Sequence, residues 1–258
     1  MALTQLTKKE LLYLTALKGS DNLWGFDDPF QGKSEAEVRA DLLELQDTLI
    51  RKSCLEVTVD GQFSVSPAFS NMIETCMSSS RVLILSSSQL EADQAQLRYF
   101  IGNGAIVRYQ YRETATLEYI SKCLLKSELI AFFGNEANDE DSCSRITGVA
   151  RLRRMGSLSK QRFLYELRSC GCEESLALLI ADGLQGNSEF CSLLAYGRSG
   201  QQEFLSGKIV TLSFAGGSLM VTPGDHAAES VCFTKLSQDR LLSELDKVLG
   251  EREDDDVV

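Results

Sequence analysis

The chain runs through one pattern of elements twice. From about Thr7 to Gly134, and again from about Ser144 to Gly250, a pair of amphipathic helices precedes four short strand-like runs with a two-residue turn at their middle, and a closing helix follows. Hardly any residue identity links the copies, so the repeat is one of pattern. It predicts an α+β fold with quasi-two-fold internal symmetry, in which duplicated helix-helix-four-strand-helix units form a central antiparallel sheet with flanking helices.

Local signals mark the elements. Thr7 with Glu10 and Ser34 with Glu37 have capping-box spacing, and Gly19 closes the first helix. The second helix carries Val38, Leu42, Leu43, Leu45 and Leu49 as its apolar stripe. Asp60-Gly61 turns a hairpin, and Ser66-Pro67 reads as an N-cap with proline at the first helical position. A strand starts at Arg81, and Asn103-Gly104 joins the next two as a type I′ turn. There Val107, Tyr109 and Tyr111 alternate with Arg108, Gln110 and Arg112, predicting one packed and one polar face. In the second half, helices close at Gly171 and near Gly183, and Gly216-Gly217 turns the central strand pair. Leu236, Leu241, Leu242, Leu245 and Val248 form the stripe of the last helix. The expected organisation is a helical, winged-helix-like module (1–79), a first sheet half with its helix (80–134), an acidic linker (135–150) and a second half (151–258) ending in the acidic tail EREDDDVV.

Composition narrows the function. A formal net charge of -11 argues against nucleic acid, because phosphate contacts need a surplus of Lys and Arg. The would-be recognition helix, Ser34 to Lys52, carries Glu35, Glu37, Asp41, Glu44 and Asp47 against three basic residues. No apolar run suits membrane insertion or a signal peptide, so a cytoplasmic location is expected. The eight cysteines are scattered mostly through apolar runs and Cys170-Gly-Cys172 lacks metal spacing, so neither a metal nor a cofactor is expected. His226 is the single histidine, and no nucleotide, zinc-hydrolase or nucleophile-elbow motif occurs. The expectation is a non-enzymatic protein. Monomer and dimer stay open, since an exposed strand edge can pair.

The start LTKKELLYLTAL, the mid-chain helices SKQRFLYELRSCGCEESLALLIADGL and the end KIVTLSFAGGSLMVTP…LSQDRLLSELDKVL together resemble the EspG-like chaperones of type VII (ESX) secretion. The likeness lies in the order of elements. It implies a cytoplasmic adaptor or chaperone whose partner is a helical secreted protein, kept soluble for export. For that role the candidate contacts are Trp24, Phe26 and Phe30 in the first loop, with Arg98, Arg108 and Arg112 on the polar sheet face. The rival reading is a transcription regulator using the winged-helix-like module with a sensor domain behind it.

Overall fold

The computed structural model describes residues 5–20, 23, 26, 28–88, 96–102, 104–111, 115–133, 143–147, 154–155, 157–186, 188–199, 202–223 and 230–250. Asn103, His226, the acidic stretch 135–142 and the C-terminal tail lie outside them. The first half runs β1 (Gln5–Leu6), α1 (Lys8–Leu17), α2 (Glu35–Arg51), β2 (Leu55–Val57), β3 (Phe63–Val65), α3 (Pro67–Ser78), β4 (Arg81–Ser87), β5 (Gln96–Gly102), β6 (Ala105–Tyr111), β7 (Ala115–Ile120) and α4 (Lys122–Phe133). The second runs β8 (Cys143–Thr147), α5 (Lys160–Ser169), α6 (Glu174–Gln185), β9 (Glu189–Ser199), β10 (Gln202–Phe214), β11 (Gly217–Pro223), β12 (Ser230–Lys235) and α7 (Gln238–Leu249). The fold is α+β, antiparallel sheet flanked by helices. Strand β8 falls within the stretch read from sequence as linker.

The duplication is topological. The hydrogen-bonded strand order is β1-β7-β6-β5-β4 in the first half and β8-β12-β11-β10-β9 in the second. In each, a short leading strand returns to pair antiparallel with the fourth strand of the set, β1 with β7 and β8 with β12. The repeat also extends to helix lengths. Helices α1 and α5 each have 10 residues, α3 and α6 each have 12, and so do α4 and α7. Both α1 and α5 end in paired closing bonds around a left-handed glycine: Gly19 and Ser20 donate to Ala16 and Thr15, and Gly171 and Cys172 to Arg168 and Leu167, the Schellman arrangement.

This corrects the helix pairing expected from sequence. The repeated pair of the first half is α1 with α3: α1 contacts both α2 and α3, but it is α3 that packs on β5, β6 and β7 as α6 packs on β11 and β12. Helix α2 and the β2-β3 hairpin, residues 35–65, are therefore an insertion between the two repeat helices. Only Leu45 and Leu49 of α2 are buried, while Leu43 of the expected stripe is exposed. An inserted helix packs along a narrower strip than one lying on a sheet.

The chain divides into two compact units, one of Met1–Leu83, Asp93–Lys122 and Gly197–Gln202, the other of Ile84–Ala92, Cys123–Tyr196 and Glu203–Val258. In the second, the register puts Leu212, Leu219, Val221 and Phe233 on one face. Ala177, Ile180 and Ala181 of α6 and Phe163 and Leu167 of α5 pack there. Helix α6 closes near Gly183 as read from sequence, running on to Gln185. A Cβ on Gly183 would lie 3.0 Å from the Phe214 ring, so the small residue permits close packing. On the opposite face, α7 reaches β10 at Gly207, where a Cβ would meet Val248 at 2.9 Å. The expected α7 stripe is buried at Leu241, Leu245 and Val248. Lys126 of α4 pairs with Asp246 of α7 at 2.9 Å. The turn between β10 and β11 is Ala215-Gly216, one residue earlier than read from sequence, because Phe214 pairs with Gly217.

In the first unit both capping boxes form, with Thr7 and Ser34 accepting from the amides of Glu10 and Glu37 and the two glutamates accepting in return. Ser66 differs: it precedes Pro67 as expected, but its side chain makes no capping bond. Glu10 does more than cap. Its carboxylate is buried and also takes Lys52 Nζ at 2.7 and 2.8 Å, while that ammonium donates to the Gln5 carbonyl. One ion pair with a buried carboxylate and a partly exposed ammonium thus ties β1, the start of α1 and the end of α2. Lys52→Met leaves the carboxylate buried without its cation and is expected to cost roughly 3 kcal/mol in urea unfolding, most of it restored by adding Glu10→Gln; an unchanged midpoint in the single variant contradicts the knot. Ser53, which follows, has φ 58, a left-handed conformation that favours glycine. Ser53→Gly is expected to raise stability by about 0.5–1 kcal/mol, read as a higher urea midpoint.

Candidate functional site

The β5-β6-β7 ladder of the first unit sorts the sequence-derived site residues by face. Its register aligns Arg98 with Tyr109 and Leu117, and Phe100 with Val107 and Tyr119. On this face Phe100, Val107 and Tyr109 are fully buried and Arg98 nearly so. Helix α3 packs on the same strands, coming so close that a Cβ on Gly102 would lie 3.0 Å from the Ser79 Cα. The register aligns Tyr99 with Arg108 and Glu118 on the other face, with Ile101, Ile106 and Ile120 beside them and Leu97, Gln110 and Thr116 beyond. Apart from Tyr99 and Ile120, these are only partly buried. This half-covered face is the candidate site: an isoleucine row, a charged row and a mixed row, each two residues further along the strands.

Arg108 stands on that face as expected and pairs with Glu118 across the strands. Arg98 does not. It lies on the covered face, its guanidinium 4.1 Å from the centroid of the Phe26 ring. Phe26 itself stacks on Phe100 with centroids 6.5 Å apart and meets Tyr109 edge-on at 5.0 Å. The first loop is thus pinned onto the sheet by one aromatic ring held between a cation and two buried rings. Phe30 is half-buried, with Lys9 Nζ 5.9 Å from its ring centroid. Trp24 and Arg112 lie outside the described residues.

A second clamp holds this loop. Asp41 of α2 takes Lys33 Nζ at 2.6 Å and Lys9 Nζ at 2.7 Å. Bonding to Lys33 and then Lys9 keeps the Asp41 carboxyl below its ordinary value of 3.8 and raises Lys33 in turn. A carboxylate depressed by folding contributes stability above its unfolded pKa and loses it as the pH falls through the folded one, so the clamp weakens in acid.

Nucleophile chemistry has little support in this unit. Burial, reinforced by the Glu10 carboxylate, pushes the Cys54 thiol up to about 11, and burial pushes Cys76 up as well. A protonated, buried thiol is a packing group. Among the described residues no cluster of His, Cys, Asp and Glu could hold a metal ion, and no helix is long and apolar enough to cross a membrane.

Comparison with solved structures places this fold. The Mycobacterium tuberculosis type VII secretion system chaperone EspG5, solved in complex with a PE25-PPE41 dimer, matches with a TM-score of 0.63 at 10% sequence identity, over 96% of each chain. The chain shares that chaperone's fold over nearly its whole length. No family model matches the sequence, and no curated protein matches it.

Sequence reasoning missed the buried Arg98-Phe26 contact because it joins residues far apart in the chain. It also missed the Ile101-Ile106-Ile120 row, which only the register assembles. Phe26→Ala is expected to lower stability by about 1–3 kcal/mol and to weaken the near-UV circular dichroism of the aromatic cluster; a variant with wild-type stability and spectrum refutes the pin.

Proposed function

We propose that this chain is a non-enzymatic cytoplasmic adaptor or chaperone that binds a helical, export-bound protein of a type VII-like secretion system and keeps it soluble. The observation that carries the reading is the likeness to a secretion chaperone over 96% of both chains, a breadth that takes in the sheet and its flanking helices together. That chaperone was solved on a PE25-PPE41 dimer, and a helical partner is the natural analogue here. A half-covered antiparallel face suits such a partner, because an apolar row gives burial while an adjacent charged row fixes orientation. We assign the docking surface to the first-unit face with Ile101, Ile106, Arg108 and Glu118. Trp24, Phe30 and Arg112 are proposed as further partner contacts by residue type alone, with no place on that face assigned to them. Phe26 and Arg98 act indirectly by holding the first loop in place.

The test is purification of the tagged chain from its native cytoplasm, with mass spectrometry of what accompanies it. A small helical secreted protein in stoichiometric amount is the expected result, and Ile106→Asp with Arg108→Glu should lower its recovery at least tenfold without unfolding the chain. Recovery of the chain alone at every salt concentration overturns the proposal. DNA binding that weakens steeply with salt would instead favour the regulator.

A further inference from the structure

The inserted hairpin carries an apolar face that outruns the body of the first unit. Leu55 pairs with Val65 and Val57 with Phe63, so these four share one face of the two-stranded ribbon, and Val59 stands beyond them in the turn that Gly61 closes onto Thr58. Burial falls steadily toward that turn. Leu55 and Val65 are buried, Phe63 is half-buried, Val57 is 57% exposed and Val59 fully exposed. A solvated hairpin tip has no need of this pattern, since polar residues at 57 and 59 would serve the turn as well. The turn is already closed by bonds from Thr58 to Gln62 and from Gly61 to Thr58.

The charge around the face selects its occupant. From Ser53 to Ser80 the chain has no Lys or Arg, while Glu56 and Asp60 are present; Glu74, in the same stretch, is paired with Lys18. Glu56 and Asp60 flank the exposed valines and are themselves exposed. Lys52, the last cation before this stretch, is bound to buried Glu10. Helix α2, which packs on β2, adds exposed Glu44 and Asp47, beside an exposed Arg51 that donates to the Asp47 carbonyl and the Thr48 hydroxyl. A second copy docked here would bring acid against acid, and a nucleic acid would bring phosphate. We infer that the β2-β3 hairpin is a recognition element for a protein segment presenting apolar side chains flanked by Lys or Arg. The acidic rim attracts the cations and the exposed valines take the apolar residues. This surface is separate from the half-covered sheet face and does not rest on the chaperone reading.

The test uses the full chain and two synthetic amphipathic helical peptides of equal length, one built of Leu and Lys, the other of Leu and Glu, followed by fluorescence anisotropy at physiological salt. The Leu-Lys peptide should bind and the Leu-Glu peptide should not. Val57→Ser with Val59→Ser, and separately Asp60→Lys, should each weaken binding at least tenfold. Asp239→Lys, the same charge change on α7, should leave it within twofold, which separates recognition by the hairpin from general attraction to an acidic protein. Substrate recovery in the purification above should be unaffected by the hairpin variants, so the two proposals fail independently. Absence of Leu-Lys binding, equal binding of both peptides, indifference to the valine or Asp60 changes, or photocrosslinking from position 59 to a second copy overturns the inference.

Discussion

The period of two in the β5-β6-β7 ladder governs the first unit. Because the β5-β6 loop has only two residues and Gly102 pairs with Ala105, the register is fixed at the turn. A strand that slipped by one position would turn every one of its side chains to the other face. In the register observed, Phe100, Val107 and Tyr109 go under α3 and the Phe26 loop, and Arg98 goes with them. An arginine on a covered face is costly unless its charge is met, and the Phe26 ring over the guanidinium meets part of that demand. The anchoring of the first loop therefore follows from the register. So does the half-covered face, which holds what the ladder left over: three isoleucines, an Arg-Glu pair and polar neighbours.

Much of this was legible in the chain. Both capping boxes, the β2-β3 hairpin, the two-residue β5-β6 connection and the alternation from Val107 to Gln110 are local signals, and local signals survive folding. The duplicated architecture was readable for the same reason, as four strands and a closing helix each have their own period. The short strands β1 and β8 were not readable. A run of 2 or 5 residues shows no period, and its strand character comes from a partner far along the chain. The face of Arg98 was hidden too: in LRYFIG apolar residues do not alternate with polar ones, and Tyr99 and Phe100 point to opposite faces although both are fully buried. Pairing α1 with α2 by adjacency failed because adjacency says nothing about which helix lies on the sheet. Equal lengths and matching Schellman glycines identify α1 with α5 once the fold is seen.

Electrostatics divide the first unit in a way that net charge conceals. Its cations near the N-terminus are engaged locally, Lys9 and Lys33 on Asp41, Lys52 on Glu10, and Lys18 on Glu74. Three of these pairs reach across tens of residues, so they hold elements together and do not decorate one helix. The consequence is a hairpin and an outer α2 surface left acidic, whereas the half-covered sheet face keeps a balanced Arg-Glu row. Two surfaces on one unit thus differ in charge, one acidic and one balanced, the kind of difference by which partners are told apart.

A shared fold at 10% identity is what these constraints allow. The architecture asks for alternation on a few strands, small residues where a helix meets a strand at Gly102 and Gly207, left-handed closures after α1 and α5, and a leading strand in each half long enough to pair. Each requirement is met by residue type or even by period, so very different sequences satisfy the set. None of them specifies a side chain on the exposed faces. Fold likeness therefore carries the scaffold and says nothing of the proposed contact residues Ile106, Arg108, Val57 and Asp60, which stand outside the set of positions that the fold demands.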